Sequence, residues 1–534
     1  MINIKDKLRR SNILFSRQKI ENVNYADRVT LAEDESNLNA EINDINNTIN
    51  NSVANDAYNA TISQLNRRIN EVTEQVDNIG EIVKENSADI SIGITLSGST
   101  FTTIPKEFIF SNAENLNRVL EDCTNLTFAN IDMSNAKSAK YLFDGCTSLE
   151  SVNLKSDKLV DGICMFNNCK SLSNLPNIDL SNLELGGGMF ANTPITEIPN
   201  YNLKKCKDFS VMFQYCKNLV EPVDLELDSA TNLYAMFDGC TSLTDVKLKN
   251  LNNVTNMQGV FNDCTNLQKV ELINTNKLKN VQGLFYNCEN LTDVVITDLE
   301  NLEDGGMMFE GCTKLQNVEL INTKNLVVGG QLFLYCDNLT DVVITDLENL
   351  ADGKFMFSGC NKLKNLTFPS NTNNLLYMAQ MFNNCWELTE IPYFETTNVK
   401  DLQYCFSYCK KIKTIPQFNL KNAYNVTGML NRCDNLETIP LLDFSSVKYY
   451  FLIDKCPLLK NLGGFKNLKV GLDLAGSPLL TYQSVLNVIN NAYDFRANGD
   501  TTTSQTIKLH SDVYALLSDD DFALANNKGW VISK

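Results

Sequence analysis

Apolar residues recur along most of the chain in a short motif of constant form. An aromatic or aliphatic pair is followed by two variable residues, a cysteine and, three positions later, a leucine, as in Leu142 to Leu149 and Met236 to Leu243. Fourteen of the 17 cysteines occupy this position at intervals of 23 to 25 residues, and Thr193 fills the one gap. The pattern predicts fifteen copies of one structural repeat.

After the leucine, each repeat carries a short segment rich in β-forming residues, such as Val294-Val295-Ile296 or Val318-Glu319-Leu320. Its alternation predicts one strand per repeat. A single repeat is too small to bury its own phenylalanine, cysteine and leucine, so neighbouring repeats must bury them together. We therefore predict a leucine-rich-repeat solenoid of parallel strands over residues 119–466.

The cysteine spacing indicates packing rather than disulfide formation. Equivalent side chains on neighbouring parallel strands point the same way at a spacing of about 4.8 Å, which favours stacked thiols over bridges. We expect these cysteines to be small buried hydrophobes. Cys164, Cys206 and Cys405 fall outside the regular spacing, and nothing beside them in the sequence marks a nucleophile.

Residues 38 to 83 follow a different rhythm, in which the steps between apolar positions alternate between three and four. This heptad pattern predicts a coiled coil, with a break between Ile49 and Ile62, and isoleucine at both kinds of core position favours three strands over two. We expect a homotrimeric stalk over residues 31–89; the alternative is one amphipathic helix packed on its own chain. The predicted trimerisation seam comprises Leu38, Ile42, Ile45, Ile49, Ile62, Leu65, Ile69, Val72, Val76, Ile79 and Val83.

The remaining segments suit the ends of such an assembly. Residues 1–30 would dock on a larger particle, and residues 90–118 would cover the first repeat. Residues 467–534 predict a small α/β capping module, because the last repeat of a solenoid otherwise exposes its core. Ser518-Asp519-Asp520-Asp521 is typical of a helix N-terminus. The predicted fold class is α+β: a coiled-coil stalk, a solenoid and a cap.

Composition narrows the possible functions. The 534 residues carry a net charge of −18, which disfavours nucleic acid as a partner, and the single histidine, His510, excludes chemistry that needs a histidine pair. The sequence contains no run of eighteen apolar residues, so it predicts no membrane span. Residues 1–15 do not resemble a secretory signal. We find no pattern for a metal, a cofactor or catalytic residues, and expect a protein that is not an enzyme.

The repeats resemble a known family. The motif Met-Phe-x-x-Cys-x-x-Leu-x-x-Ile-Pro-x-Phe is nearly literal at Met381 to Phe394 and again at Phe406 to Phe418. It is similar to the leucine-rich repeats of the BspA type, which occur in surface proteins of gut and oral bacteria and in their phages. The likeness covers about residues 110 to 534 and implies a binding or adhesion scaffold with no catalytic residues to carry over.

A stalk of trimer type, a repeat platform and no recognisable export signal are together typical of a bacteriophage virion fibre on the head or the tail. The N-terminus would bind other virion proteins, and the repeats would bind a host surface glycan or protein. Tyr393, Tyr449 and Tyr450 are candidate ligand contacts, although packing is the alternative role. The alternative function is a bacterial repeat scaffold or adhesin that is not part of a virion; an enzyme is a third possibility.

Overall fold

A computed structural model describes residues 96–104 and 110–534. The chain divides into two compact bodies, the first ending at Cys206 and the second running from Lys207 to Lys534. Each is described by itself below. The predicted docking segment 1–30 and the coiled-coil seam from Leu38 to Val83 lie outside the described residues.

In the first body, two strands pair in parallel and in register. They are β1 (Phe128–Asp132) and β2 (Ser151–Lys155), with Phe128 opposite Ser151. On another side of the same repeats, single-residue bridges connect Asn115, Ser138, Asp161 and Leu185 in turn. Equivalent residues of successive repeats therefore lie side by side, as the repeat spacing predicts.

The second body extends this pattern to more repeats. Four strands form one parallel sheet and three form another: β3 (Val223–Glu226), β4 (Asp245–Lys249), β5 (Lys269–Leu272) and β6 (Asp293–Ile296), then β7 (Asn317–Leu320), β8 (Asp341–Ile344) and β9 (Asn365–Thr367). The pairs are in register from repeat to repeat, for example Val246 with Val270. The parallel solenoid is thus confirmed for these repeats.

The expectation of one strand in every repeat is wrong where proline occupies the strand centre. Pro176, Pro392 and Pro416 all follow their repeat cysteine by seven residues, the position that Lys247 holds in β4. Proline has no N–H to donate to the ladder. The described chain accordingly has no strand between Lys155 and Val223 or between Thr367 and Thr438.

Phenylalanines form a continuous stack in the core of each body. In the first body the rings of Phe143, Phe166 and Phe190 follow one another with centroids 5.4 and 5.7 Å apart. In the second body nine rings continue in the same way at 5.3 to 5.8 Å: Phe213, Phe237, Phe261, Phe285, Phe309, Phe333, Phe357, Phe382 and Phe406. Because a repeat contributes only one such ring, neighbours supply most of the apolar contact around it.

The cysteines lie beside this stack as free thiols, as predicted. They also make a hydrogen bond that the sequence did not suggest. The Cys264 thiol donates to the carbonyl of Phe237 in the preceding repeat at 3.1 Å, and the Cys240 N–H donates to the same carbonyl at 3.0 Å. Thr193 differs, because its hydroxyl donates to Phe190 within its own repeat at 2.7 Å. The cysteine side chain therefore links repeats as well as filling space.

The C-terminal part of the second body is an α/β module, as predicted. Short strands lead into it: β10 (Thr438–Ile439), β11 (Leu442–Asp443), β12 (Phe451–Leu452), β13 (Asn461–Leu462) and β14 (Phe465–Lys466). Strands β15 (Leu472–Leu474), β16 (Gln505–Leu509) and β17 (Trp530–Ser533) continue the parallel order from β12. The helices are α1 (Tyr482–Asn491), α2 (Ser511–Tyr514) and α3 (Asp519–Asn527).

Helix α3 begins where the acidic run predicts. The Ser518 hydroxyl accepts a hydrogen bond from the Asp521 N–H, and the Asp521 carboxylate accepts one from the Ser518 N–H. This reciprocal cap satisfies two N–H groups that a helix start leaves open. The pKa of Asp521 is lowered mainly by that backbone hydrogen bond, so the carboxylate is charged at the positive end of the helix dipole.

Candidate functional site

Tyr393, Tyr449 and Tyr450, the predicted contact residues, are all exposed but lie at two different positions of the repeat. Their exposed fractions are 56, 51 and 49%. Tyr393 follows Pro392 in an extended segment that replaces a strand, and it makes no ring contact within the described residues. Tyr449 and Tyr450 immediately precede β12. Tyr449 and Tyr450 are neighbours in the sequence, whereas Tyr393 belongs to a repeat two units earlier.

The backbone places further side chains in line with these two. The Tyr424 N–H donates to the Lys400 carbonyl at 2.9 Å, and the Lys448 N–H donates to the Tyr424 carbonyl at 2.9 Å. At the position that follows this one in each repeat, Tyr377 is bridged to Asp401 of the next repeat. Equivalent positions on parallel neighbours point their side chains in the same direction. Lys400, Tyr424 and Lys448 consequently form one outward row.

Three tyrosines lie along this surface, and we call them the tyrosine strip: Tyr377, Tyr424 and Tyr449. The rings of Tyr424 and Tyr449 are tilted by 57° with centroids 6.3 Å apart. The Lys354 ammonium lies 4.4 Å from the centroid of the Tyr377 ring, a cation–π contact that covers one face of this ring. Tyr450 packs instead on Gly471, where an added Cβ would come within 2.7 Å of the ring.

The phenols of Tyr424 and Tyr450 are neutral donors and acceptors. The pKa of Tyr424 is raised above its usual range, first by burial and then by the Asp401 carboxylate and the neighbouring phenols. Burial, followed by the Asp473 carboxylate, raises the pKa of Tyr450 in the same direction. A protonated phenol can both donate and accept a hydrogen bond. The strip therefore combines apolar ring faces with polar edges that suit a polar ligand.

Carboxylates next to the strip are occupied by the protein itself. Asp401 Oδ1 accepts from the Gln403 N–H at 3.0 Å. Asp473 Oδ1 accepts from the Ala475 N–H at 2.9 Å, and its Oδ2 lies 3.6 Å from the Lys508 ammonium. Across residues 96–104 and 110–534, no group of three His, Cys, Asp or Glu side chains could hold a metal ion.

A second polar cluster occurs in the first body. The Arg118 guanidinium lies 4.0 Å from the Tyr141 ring centroid and pairs with Glu121. Cys164 lies next to Tyr141 and is half-buried, whereas the other cysteines are buried. Its pKa is raised, first by burial and then by Asp144. A protonated thiol is a poor nucleophile, which agrees with the sequence, where nothing marks Cys164 for reactivity.

Sequence reasoning missed two of the three strip tyrosines and the two lysines, Lys400 and Lys448, on either side of Tyr424. Tyr377 and Tyr424 were not singled out, because each looks like one of many tyrosines until the repeats are superposed. The available signal was the spacing of Lys400, Tyr424 and Lys448, which are 24 residues apart. Aligning the position eight or nine residues before each cysteine would have revealed the row.

In the part of the chain that the structure covers, none of the helices has both the length and the apolar character needed to cross a bilayer.

Comparisons with known proteins show which family the repeats belong to. None of the curated proteins matches the chain. Among solved structures, a leucine-rich repeat protein from Bacteroides ovatus is 18% identical and has a TM-score of 0.44, with 82% of this chain and 92% of that chain covered. A leucine-rich repeat protein from Eubacterium ventriosum is 18% identical with a TM-score of 0.29, covering 53% of this chain and 83% of that one.

A leucine-rich cell surface protein from Faecalibacterium prausnitzii is also 18% identical, with a TM-score of 0.24, 63% of this chain and 78% of that chain being covered. The model of the BspA type leucine-rich repeat region matches residues 116–220, 231–356 and 328–456, which together make up more than half of the chain. The repeat motif, the parallel solenoid and this match agree: the protein belongs to the BspA-type leucine-rich repeat family.

Proposed function

We propose that this protein is a non-enzymatic binding protein whose repeats recognise a ligand on a host or environmental surface through the tyrosine strip. The observation that carries the proposal is the pair Tyr424 and Tyr449, with ring centroids 6.3 Å apart and Tyr449 51% exposed. Paired, outward aromatic rings on a rigid backbone offer contact area at little entropic cost. Leucine-rich repeats supply that rigidity, because each repeat is packed against its neighbours.

Binding rather than catalysis is favoured by the state of the reactive groups. Asp401 and Asp473 already accept backbone hydrogen bonds, which gives both carboxylates a structural role. Burial raises the pKa of the Cys240 and Cys264 thiols, which keeps these thiols protonated. An enzyme in this fold would need a desolvated acid or nucleophile facing a cleft.

The test is a binding measurement with the full chain on immobilised arrays of surface glycans and surface proteins. We expect Tyr424→Ala with Tyr449→Ala to reduce binding about tenfold or more, since two aromatic contacts are removed. The matched control is Tyr215→Ala with Tyr335→Ala, two tyrosines that are 43 and 58% exposed elsewhere on the second body. Equal loss in both variants, or no loss in the first, would reject the strip as the binding surface.

We further propose that the chain forms a homotrimer and serves as a head or tail fibre of a phage virion, displayed on the virion surface. Support comes from the isoleucine-rich seam between Leu38 and Val83 in the sequence, which favours three-stranded coiled coils. Residues 1–30 would bind other virion proteins. Three copies of a weak site would raise avidity through effective concentration. A bacterial scaffold or adhesin is the competing assignment.

Light scattering on the full chain separates these assignments. A trimer has three times the chain mass of 59.9 kDa, and we expect Ile69→Asp with Val76→Asp to convert it to a monomer without loss of the folded repeats. Gold labelling of intact phage particles with an antibody to the repeats would then locate the fibre. A monomeric mass at high protein concentration would contradict the trimer. Phage particles that the antibody does not label would contradict the assignment to a virion.

A further inference from the structure

Two lysines of the outward row flank Tyr424 of the tyrosine strip. Lys400 and Lys448 lie on either side of Tyr424 and are connected to it by backbone hydrogen bonds of 2.9 Å. Both side chains are exposed. Because the three positions are equivalent in successive repeats, their spacing is about 4.8 Å per repeat. A ligand that covers Tyr424 would therefore lie between the two lysine positions.

Neither lysine has an opposite charge to neutralise it. Within the described part of the chain, no carboxylate lies within 4.0 Å of the Lys400 or Lys448 ammonium. Some other lysines of the second body pair across repeats, as Lys247 does with Glu271 at 2.6 Å and Lys411 with Glu387 at 2.7 Å. Lys400 and Lys448 therefore leave their positive charge available to a ligand.

One acid next to the row, Asp401, already has a backbone partner, because its Oδ1 accepts a hydrogen bond from the Gln403 N–H at 3.0 Å. The Asp401 carboxylate nevertheless acts on Tyr424, whose pKa it helps to raise. The chain as a whole carries a net charge of −18. Long-range electrostatic repulsion therefore opposes anions over most of the molecule, and an anion that binds here must be held by local contacts with the two lysines.

We propose that the tyrosine strip, together with Lys400 and Lys448, binds an acidic saccharide chain whose rings carry carboxylate or sulfate groups. This inference rests on the proposed binding function and adds the chemical class of the ligand. Each sugar ring offers an apolar C–H face to a tyrosine ring and hydroxyl groups to the neutral phenols. The acidic group pairs with an ammonium that the protein leaves without a partner.

A saccharide fits this surface better than an acidic protein segment does. The strip presents neighbouring aromatic rings at Tyr424 and Tyr449, and of its three rings only Tyr377 is already covered by a cation. A peptide rich in aspartate or glutamate would pair with the lysines but would leave these faces without an apolar partner. In a sugar chain, the apolar face and the charge recur in every acidic ring.

The experiment is isothermal titration of the full chain with four soluble polymers: polygalacturonate, heparin, dextran and polyglutamate. Polygalacturonate and heparin distinguish carboxylate from sulfate, dextran has sugar rings without charge, and polyglutamate has charge without sugar rings. We expect one of the two acidic saccharides to bind and both controls to bind about tenfold more weakly or not at all. Binding should weaken as salt is raised.

Variants then assign the contacts. We expect Lys400→Gln with Lys448→Gln to weaken binding of the acidic saccharide about tenfold and to flatten its salt dependence. Lys247→Gln with Lys411→Gln is the matched control and should leave binding unchanged. Equal binding of polyglutamate, or binding that survives the first variant, would overturn the acidic-saccharide inference. If a neutral glycan or a protein on the arrays still binds through Tyr424 and Tyr449, the proposed function stands while this inference fails.

Discussion

The inside and the outside of the same repeats obey different rules. Facing inward, every repeat of the second body from Phe213 to Phe406 places a phenylalanine in the same stack, and nearly every repeat places a cysteine beside it. Facing outward, the tyrosine strip occurs over only a few repeats and has no equivalent in the others. Repetition builds the fold, because each ring needs an identical neighbour. Departure from repetition marks the candidate site, because a ligand needs a distinct place to bind.

The largest expected effect is a loss of stability at alkaline pH, caused by the buried cysteine thiols of the core. Burial holds the pKa of thiols such as Cys264 and Cys288 well above the usual value, while unfolded thiols ionise near pH ~8.5. Protons therefore leave only the unfolded state, so stability is complete below that pH and falls above it by about 1.4 kcal/mol per pH unit for each buried thiol. Urea unfolding followed by circular dichroism, from neutral pH upward, measures the slope.

Cys240→Ala with Cys264→Ala is the control for this effect, since two fewer thiols should make the slope shallower. Tyr424→Phe, on the outside, should leave it unchanged below pH ~10, where an unfolded phenol is still protonated. Labelling of Cys288 by iodoacetamide in protein that is still fully folded at alkaline pH would contradict the argument, because a thiol that ionises in the folded state contributes no such penalty.

A break in the phenylalanine stack should have the next largest effect. Phe309 lies 5.4 Å from Phe285 and 5.5 Å from Phe333, ring to ring. Phe309→Ala removes both contacts and leaves a cavity, so we expect a loss of about 3–5 kcal/mol in the free energy of unfolding. Tyr424→Ala on the strip should change it by only about 0.5 kcal/mol. Equal losses in urea titrations would erase the distinction between inside and outside.

Removal of one thiol tests the link between repeats more gently. The Cys288 thiol donates to the Phe261 carbonyl at 3.0 Å. Cys288→Ala deletes this bond and leaves a small void, for an expected loss of about 1–2 kcal/mol in thermal or urea unfolding. Cys288→Ser keeps a donor in nearly the same place and should lose less. A larger loss of stability for Cys288→Ser would show that the apolar character of this site contributes more to stability than the hydrogen bond does.

The smallest effect compares two exposed lysines. A hydrogen bond from Lys247 to Glu271 raises the pKa of the lysine, whereas Lys400 has no such partner in the described chain. Lys247→Gln should therefore lower the melting temperature slightly, and less so at high salt. Lys400→Gln should leave it unchanged. A lower melting temperature for Lys400→Gln would show that this lysine stabilises the fold, which would contradict a role in ligand binding alone.

The three predicted contact residues show how far the sequence reached. Tyr449 lies beside Tyr424 in the strip, whereas its neighbour Tyr450 packs on Gly471. Tyr393 was equally conspicuous but lies apart from them, after Pro392. Tyr424 was hidden, because nothing near it in the chain distinguishes it. It becomes notable only when the Lys400 and Lys448 repeats are stacked on either side of it.

The sequence by itself determined the solenoid, since a phenylalanine and a cysteine at a nearly constant interval can be buried only by stacking one repeat on the next. It also determined the capped helix at Ser518, because capping depends on a few adjacent residues. Only the tertiary structure decided which strands form, as the proline repeats show, and which side chains share the strip. Those outcomes depend on contacts between residues 24 or more positions apart, and no local pattern records them.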